Sequence, residues 1–274
     1  MLKTLIFFKL HHLEISVNKT KIMVKDGPEN IVFYGTDDLG PVAFEAVCKF
    51  KYLGITLDTS ARCFVKEFNE NVKRKAERYF YSVLSLSRTG PDRTKLAYTL
   101  WTVCALPSIL YGAEIMPISE TTLSALERLN AQVGKFILQI PRSSANSTAL
   151  IDAGLKPVWA VIAERTLLYA KSLMNKPKGY WPKIALTDNL QEGLKSHYTS
   201  YLTKWMSLCH TSLTTKQSIK KSVLRASINS IKKQNSKTQL TCFAMNLPDS
   251  SKQKWFSPRT WVCDSINSKT IPLL

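Results

Sequence analysis

These 274 residues contain no Cys-x-x-Cys pair: Cys48, Cys63, Cys104, Cys209, Cys242 and Cys263 stand singly. Zinc-finger spacing is thereby excluded, and Cys209-His210 has no second pair at ligand spacing. Dispersed cysteines of this kind read as mostly buried small hydrophobes in a reducing compartment. An uninterrupted apolar run of membrane-spanning length is also missing. The nearest, Leu96 to Ile118, is broken by Thr99, Thr102, Pro107, Ser108 and Glu114, which suits a core helix followed by a turn. Leu5 to Phe8 imitate the apolar part of a signal peptide, but Lys9, His11 and His12 interrupt it and no small-residue cleavage site follows. Adjacent histidines point to different sides of a strand or helix, so His11 and His12 do not suggest a joint metal site. The expectation is a soluble intracellular protein of cytoplasm or nucleus, neither secreted nor membrane-bound.

Carboxylates are scarce. Asp plus Glu number 20 against 38 Lys plus Arg, a net charge of +18. Such a field suits a polyanion partner or an anionic membrane. Residues 171–274 hold 17 basic and 4 acidic side chains, a surplus of 13, whereas residues 1–170 hold a surplus of only 5. Apolar residues make up 45%, enough for a buried core and too many for a disordered basic tail.

The first sixty residues read as three or four short antiparallel strands. Ile15, Val17 and Ile22–Val24 alternate with polar neighbours, Asp26-Gly27-Pro28 marks a turn, and Ile31–Tyr34 form a second apolar run. Val42, Phe44, Ala46 and Cys48 alternate again, and Phe50 to Leu57 continue as strand around Gly54. From Ser60 the period becomes helical. Phe64, Phe68, Val72, Tyr79, Phe80 and Val83 share one face of a long helix ending near Thr89-Gly90. Pro91 suits the first position of a second helix through Cys104. A third helix spans about 120–138 with Pro141 as its stop, and a fourth starts at Pro157. Lys176 to Gly179 read as a linker, with helices around 194–208 and 216–233 and a loosely ordered end beyond 235.

Two basic constellations stand out: Asn18-Lys19-Thr20-Lys21-Ile22-Met23-Val24 and Phe50-Lys51-Tyr52-Leu53-Gly54-Ile55. A glycine within a strand allows another backbone, such as nucleic acid, to approach. Each segment alone also fits an ordinary strand with solvated lysines. Taken in order they are more specific. Leu13 to Val24 resembles motif D, and Phe50 to Ile55 resembles motif E, of non-LTR (LINE-type) retrotransposon reverse transcriptases. The resemblance continues through Leu110-Tyr111-Gly112-Ala113-Glu114, Ile137 to Ser143, Ala149-Leu150 and Gly154-Leu155-Lys156-Pro157, covering residues 10–175. Met116 departs from it, standing where many relatives have tryptophan.

The resemblance implies an α+β fold. A palm remnant would occupy residues 1–58, a helical thumb-like bundle 59–175, and a basic C-terminal region 176–274. The family's catalytic Tyr/Phe-x-Asp-Asp hairpin precedes motif D, and no aspartate stands before Asn18. Polymerase chemistry needs paired carboxylates to hold two metal ions about 4 Å apart. The full-length family would use magnesium; this chain is expected to use no cofactor and to perform no catalysis. Tyr34-Gly35-Thr36-Asp37-Asp38 imitates the motif with one residue too many and is better read as a turn.

By resemblance, Lys51, Tyr52, Leu53 and Gly54 would form a primer grip. Lys19 and Lys21 would be candidates for the motif D lysine that assists the leaving pyrophosphate. On the long helix, Lys66, Lys73, Arg74, Lys75 and Arg78 lie largely opposite the apolar stripe. They would face a template–primer duplex, although any solvated helix looks the same. The basic amphipathic segment Lys216 to Lys233 suits phosphates, an anionic membrane or a partner groove. Trp181, Trp205, Trp255 and Trp261 suit either base stacking or a core.

The expected partner is RNA or RNA–DNA duplex, with the family's fingers and remaining palm as a further one. Three functions remain open: a non-catalytic binding module, the C-terminal part of a polymerase completed by upstream sequence or in trans, and a decayed fragment without selected function.

Overall fold

The computed structural model describes residues 7, 10–13, 16, 19–23, 30–34, 41–52, 54–58, 64–90, 92–192, 196–213 and 215–237. It is an α+β protein, predominantly helical, and divides into two compact units, Met1–Phe68 and Asn69–Leu274.

Among its described residues the first unit carries five strands: β1 (Lys21–Ile22), β2 (Asn30–Tyr34), β3 (Pro41–Ala46), β4 (Lys49–Tyr52) and β5 (Ile55–Asp58). A three-stranded sheet has the order β1-β3-β2. β2 and β3 are antiparallel, with Val32 opposite Ala43, while β1 runs parallel to β3, with Lys21 opposite Glu45. The expectation of antiparallel strands throughout is therefore corrected. Alternation marks a strand without giving its direction. β1 and β3 are not consecutive in sequence, so no tight hairpin joins them and the pair is free to run parallel.

β4 and β5 form a separate antiparallel hairpin, with Tyr52 opposite Ile55. Gly54 sits in its turn at φ 84°. The reading of Gly54 as a strand interior is corrected accordingly. The glycine is required by a positive φ that side chains rarely adopt.

In the long helix α1 (Phe64–Thr89), Phe68, Val72, Ala76, Phe80, Val83 and Ser87 are buried, as steps of three and four residues predict. α2 (Arg93–Thr99) starts later than expected. Asp92, not Pro91, sets its start, its carboxylate accepting the Lys95 N–H at 2.9 Å. A π-helical turn (Leu100–Ala105) and α3 (Leu106–Ile109) continue the rod. Asn69 then clamps the next corner, donating to Pro117 O at 3.0 Å and accepting the Ser119 N–H at 2.8 Å.

α4 (Glu120–Leu138) has the expected span, capped by Ser119. Its stop is corrected from Pro141 to Gln139, which adopts φ 57° while the Ile140 N–H reaches back to Lys135 O at 3.1 Å. α5 (Asn146–Asp152) and α7 (Trp181–Gln191) carried no clear periodicity; α7 buries only Leu186. α6 (Val158–Met174) contacts α4, α8 (His197–Leu208) and α9 (Lys216–Lys237), so burial extends around most of its circumference. Trp205 is buried in this core, and the half-buried Trp159 stacks on it with ring centroids 6.4 Å apart. Residues beyond 237, with Trp255 and Trp261, lie outside the described residues.

Candidate nucleic-acid interface

The α1 surface sorts its own cations. Lys73 pairs with Glu70 at 3.3 Å, so part of its charge is neutralised internally. Arg74 and Arg78 are exposed, one helical turn apart, with Arg74 bonded to Asn71. Lys75 is half-buried and reaches into a groove of 650 Å³ between α1 and the π-turn–α3 segment. Arg78 and Tyr79 line the α1 side, and Val103, Cys104, Pro107, Ser108 and Tyr111 line the other. None of these residues is a carboxylate.

The groove owes its far wall to a break in regular helix. The Leu106 N–H donates to Trp101 O, five residues back, and Pro107 has no N–H to restore normal pairing. Trp101 is turned into the core, where its indole N–H donates to Asn130 Oδ1 at 2.8 Å. Val103 is left 65% exposed and Tyr111 47% exposed. Gly112, at φ 86°, and the Arg165 guanidinium on Leu110 O at 3.5 Å fix the Leu110–Glu114 turn that presents Tyr111. Cations, two tyrosines and a small apolar strip thus share one concave surface. Phosphate contact and ring stacking are both available there.

The sequence pattern put Tyr79 in the core stripe and Val103 and Cys104 with Trp101 on the second helix, but did not mark them as lining a site. The signal for Tyr79 was its position four residues after Lys75. Nothing in the local sequence announced the π turn.

In the first unit, Lys51 and Tyr52 are exposed on the hairpin, Tyr52 by 58%. Leu53 lies outside the described residues. Lys19 is exposed, whereas Lys21 forms an ion pair with Glu45 across the parallel β1–β3 register. Asp37 and Asp38 lie outside the described residues, as do the histidine-flanking segments before Phe7. Among the described residues, no three His, Cys, Asp or Glu side chains come together as a metal-binding group.

The basic amphipathic segment is the helix α9. Ile219, Val223, Ser227 and Ile231 are buried, and the helix packs on α6. Its apolar face is therefore occupied within the chain, which removes the surface a membrane or partner groove would need. Lys216, Lys220, Lys221 and Arg225 stay exposed, Lys220 lying 3.9 Å from Glu164. No described helix is long and apolar enough to cross a membrane. Of the tryptophans, Trp205 is buried and Trp181 is exposed.

No family model matches this chain, and no curated protein or solved structure matches it.

Proposed function

We propose that this chain is a nucleic-acid-binding portion of a LINE-type reverse transcriptase, engaging RNA or RNA–DNA duplex without itself catalysing polymerisation. The observation that carries the proposal is the groove in which Lys75 and Arg78 lie beside Tyr79 and Tyr111, with no carboxylate among its described lining residues. The ordered resemblance to motifs D and E supports it from the sequence. Arg74, Lys75 and Arg78 hold phosphates, and Tyr111 packs against the sugar–base edge. Lys51 and Tyr52 on the β4–β5 hairpin supply the primer-side contact, with Gly54 setting the turn. The catalytic aspartates and their magnesium ions belong, in the family, to sequence before motif D.

Fluorescence anisotropy with a labelled RNA–DNA hybrid tests this reading. Affinity is expected to fall steeply between about 50 and 200 mM salt. Replacing Arg74 and Arg78 by glutamine is expected to lower the log–log salt slope by about 2. A salt-independent affinity, or a double variant that binds as the parent does, overturns the proposal. Primer extension by the purified chain with magnesium is expected to give no product.

A further inference from the structure

The other flank of α1 borders a second cleft, of 540 Å³, against α4 and the chain that follows it. We propose that this cleft is a separate site for an unpaired nucleotide of a single strand, held by Arg88 and Arg142 at the phosphate and by Tyr81 at the base. It shares no residue with the duplex groove.

Four observations converge on that ligand. The first is charge. Arg88 comes from α1 and Arg142 from the segment after α4, and among the described residues no carboxylate lines the cleft. Two guanidiniums from different elements make a bidentate phosphate clamp available.

The second is rigidity. Lys135 is buried, and its ammonium donates to Arg142 O at 2.8 Å. The left-handed Gln139 and the Ser144 N–H on Pro141 O at 3.0 Å fold the same short segment. A buried ammonium is costly unless it is well bonded, and here its bond fixes the backbone that carries Arg142. The side chain is thus presented from a fixed base, which lowers the cost of ordering it around a ligand.

The third is an exposed ring. Tyr81 is 69% exposed, while its neighbour Phe80 is buried and meets it edge-on at 5.3 Å. Phe80 and Leu84 form an apolar floor, with Tyr81 offering a face for stacking.

The fourth is hydrogen-bonding capacity and size. Gln132, from α4, brings an amide that can pair with a base edge. The volume falls within the roughly 300–1,000 Å³ of small-ligand sites. A duplex keeps its base faces inside its own stack, so only an unstacked base can offer one to Tyr81. An acidic peptide would satisfy the arginines but leave the ring and the amide unused.

The test compares a labelled oligouridylate with the RNA–DNA hybrid on the full chain. Replacing Arg88 and Arg142 together by glutamine is expected to weaken oligouridylate binding at least tenfold while leaving hybrid affinity within about twofold. Tyr81→Ala is expected to weaken it by about tenfold, and Tyr81→Phe, which keeps the ring, by less than about twofold. Unchanged oligouridylate binding in the arginine double variant overturns the proposal, as does failure of the parent chain to bind it. Poly-glutamate competing as well as oligouridylate also overturns it, in favour of a plain anion surface. Equal thermal midpoints establish that the variants are folded. If the hybrid fails to bind while the oligouridylate responses hold, the duplex reading fails and this site stands.

Discussion

Trp101 and Asn130 are joined by a buried hydrogen bond of 2.8 Å, and Asn130 passes the connection on by donating to Lys156 O at 2.9 Å. One asparagine thereby links the π turn, α4 and the approach to α6. Replacing Trp101 by phenylalanine strands the Asn130 carbonyl in the core, at a cost of about 1–3 kcal/mol. The loss of ring volume adds to it. Urea unfolding is expected to show the lowered stability, and hybrid affinity is expected to fall with it because the π turn walls the groove. Full stability in the variant would show that the bond does not hold the wall.

Glu127 receives the Trp159 N–H at 2.8 Å, capping α6 from α4. Burial pushes its pKa above the ordinary 4.5, although the backbone N–H groups of Trp159 and Val158 pull the other way. The folded state therefore binds this proton more tightly than the unfolded state does. The contribution is full below pH 4.5 and is lost as pH rises through the raised value. Glu127→Gln keeps an acceptor for the Trp159 N–H and removes the charge. Its thermal midpoint, minus that of the parent, is expected to increase with pH over that window. A pH-independent difference would contradict the assignment.

Gly134 lies where α4 and α5 touch. A Cβ added there would stand 2.9 Å from Ala149 O and 3.3 Å from Ala149 C. In an exposed helix, Gly→Ala would stabilise by about 1 kcal/mol. Here both obstacles are backbone, so α5 must shift, at a cost of about 1–3 kcal/mol. Denaturant unfolding of Gly134→Ala is expected to show net destabilisation; a net gain would mean the two helices separate freely.

Cys104 and Cys209 are expected to differ sharply in reactivity. Cys104 is exposed in the groove, whereas Cys209 is buried and burial pushes its thiol up to about 11. Since the thiolate is the nucleophile, peptide mass spectrometry after brief maleimide treatment is expected to find Cys104 labelled and Cys209 unlabelled. Bound hybrid is expected to slow labelling at Cys104. Equal rates with and without hybrid would place the duplex elsewhere.

Much of the helical scaffold was legible in the residues themselves. The Phe68, Val72, Phe80, Val83 stripe marked α1, and Leu123, Leu126, Leu129, Val133 and Ile137 marked α4, because amphipathic spacing is local. The excess of positive charge and the ordered motif resemblance were also properties of sequence alone. Strand direction was not: β1 pairs with β3, which does not follow it in sequence, and runs parallel to it. The groove was not legible either, since it depends on a π turn whose inward Trp101 finds Asn130 some 29 residues away. Tertiary packing also decided which cations stay available. Lys73 meets Glu70 on its own helix, Lys21 meets Glu45 across the sheet, and Arg78 opens onto a concave wall. The sequence by itself determined the helices and the sign of the charge, because both depend on residue type and spacing. Which charges converge on a ligand was decided only when distant segments packed together.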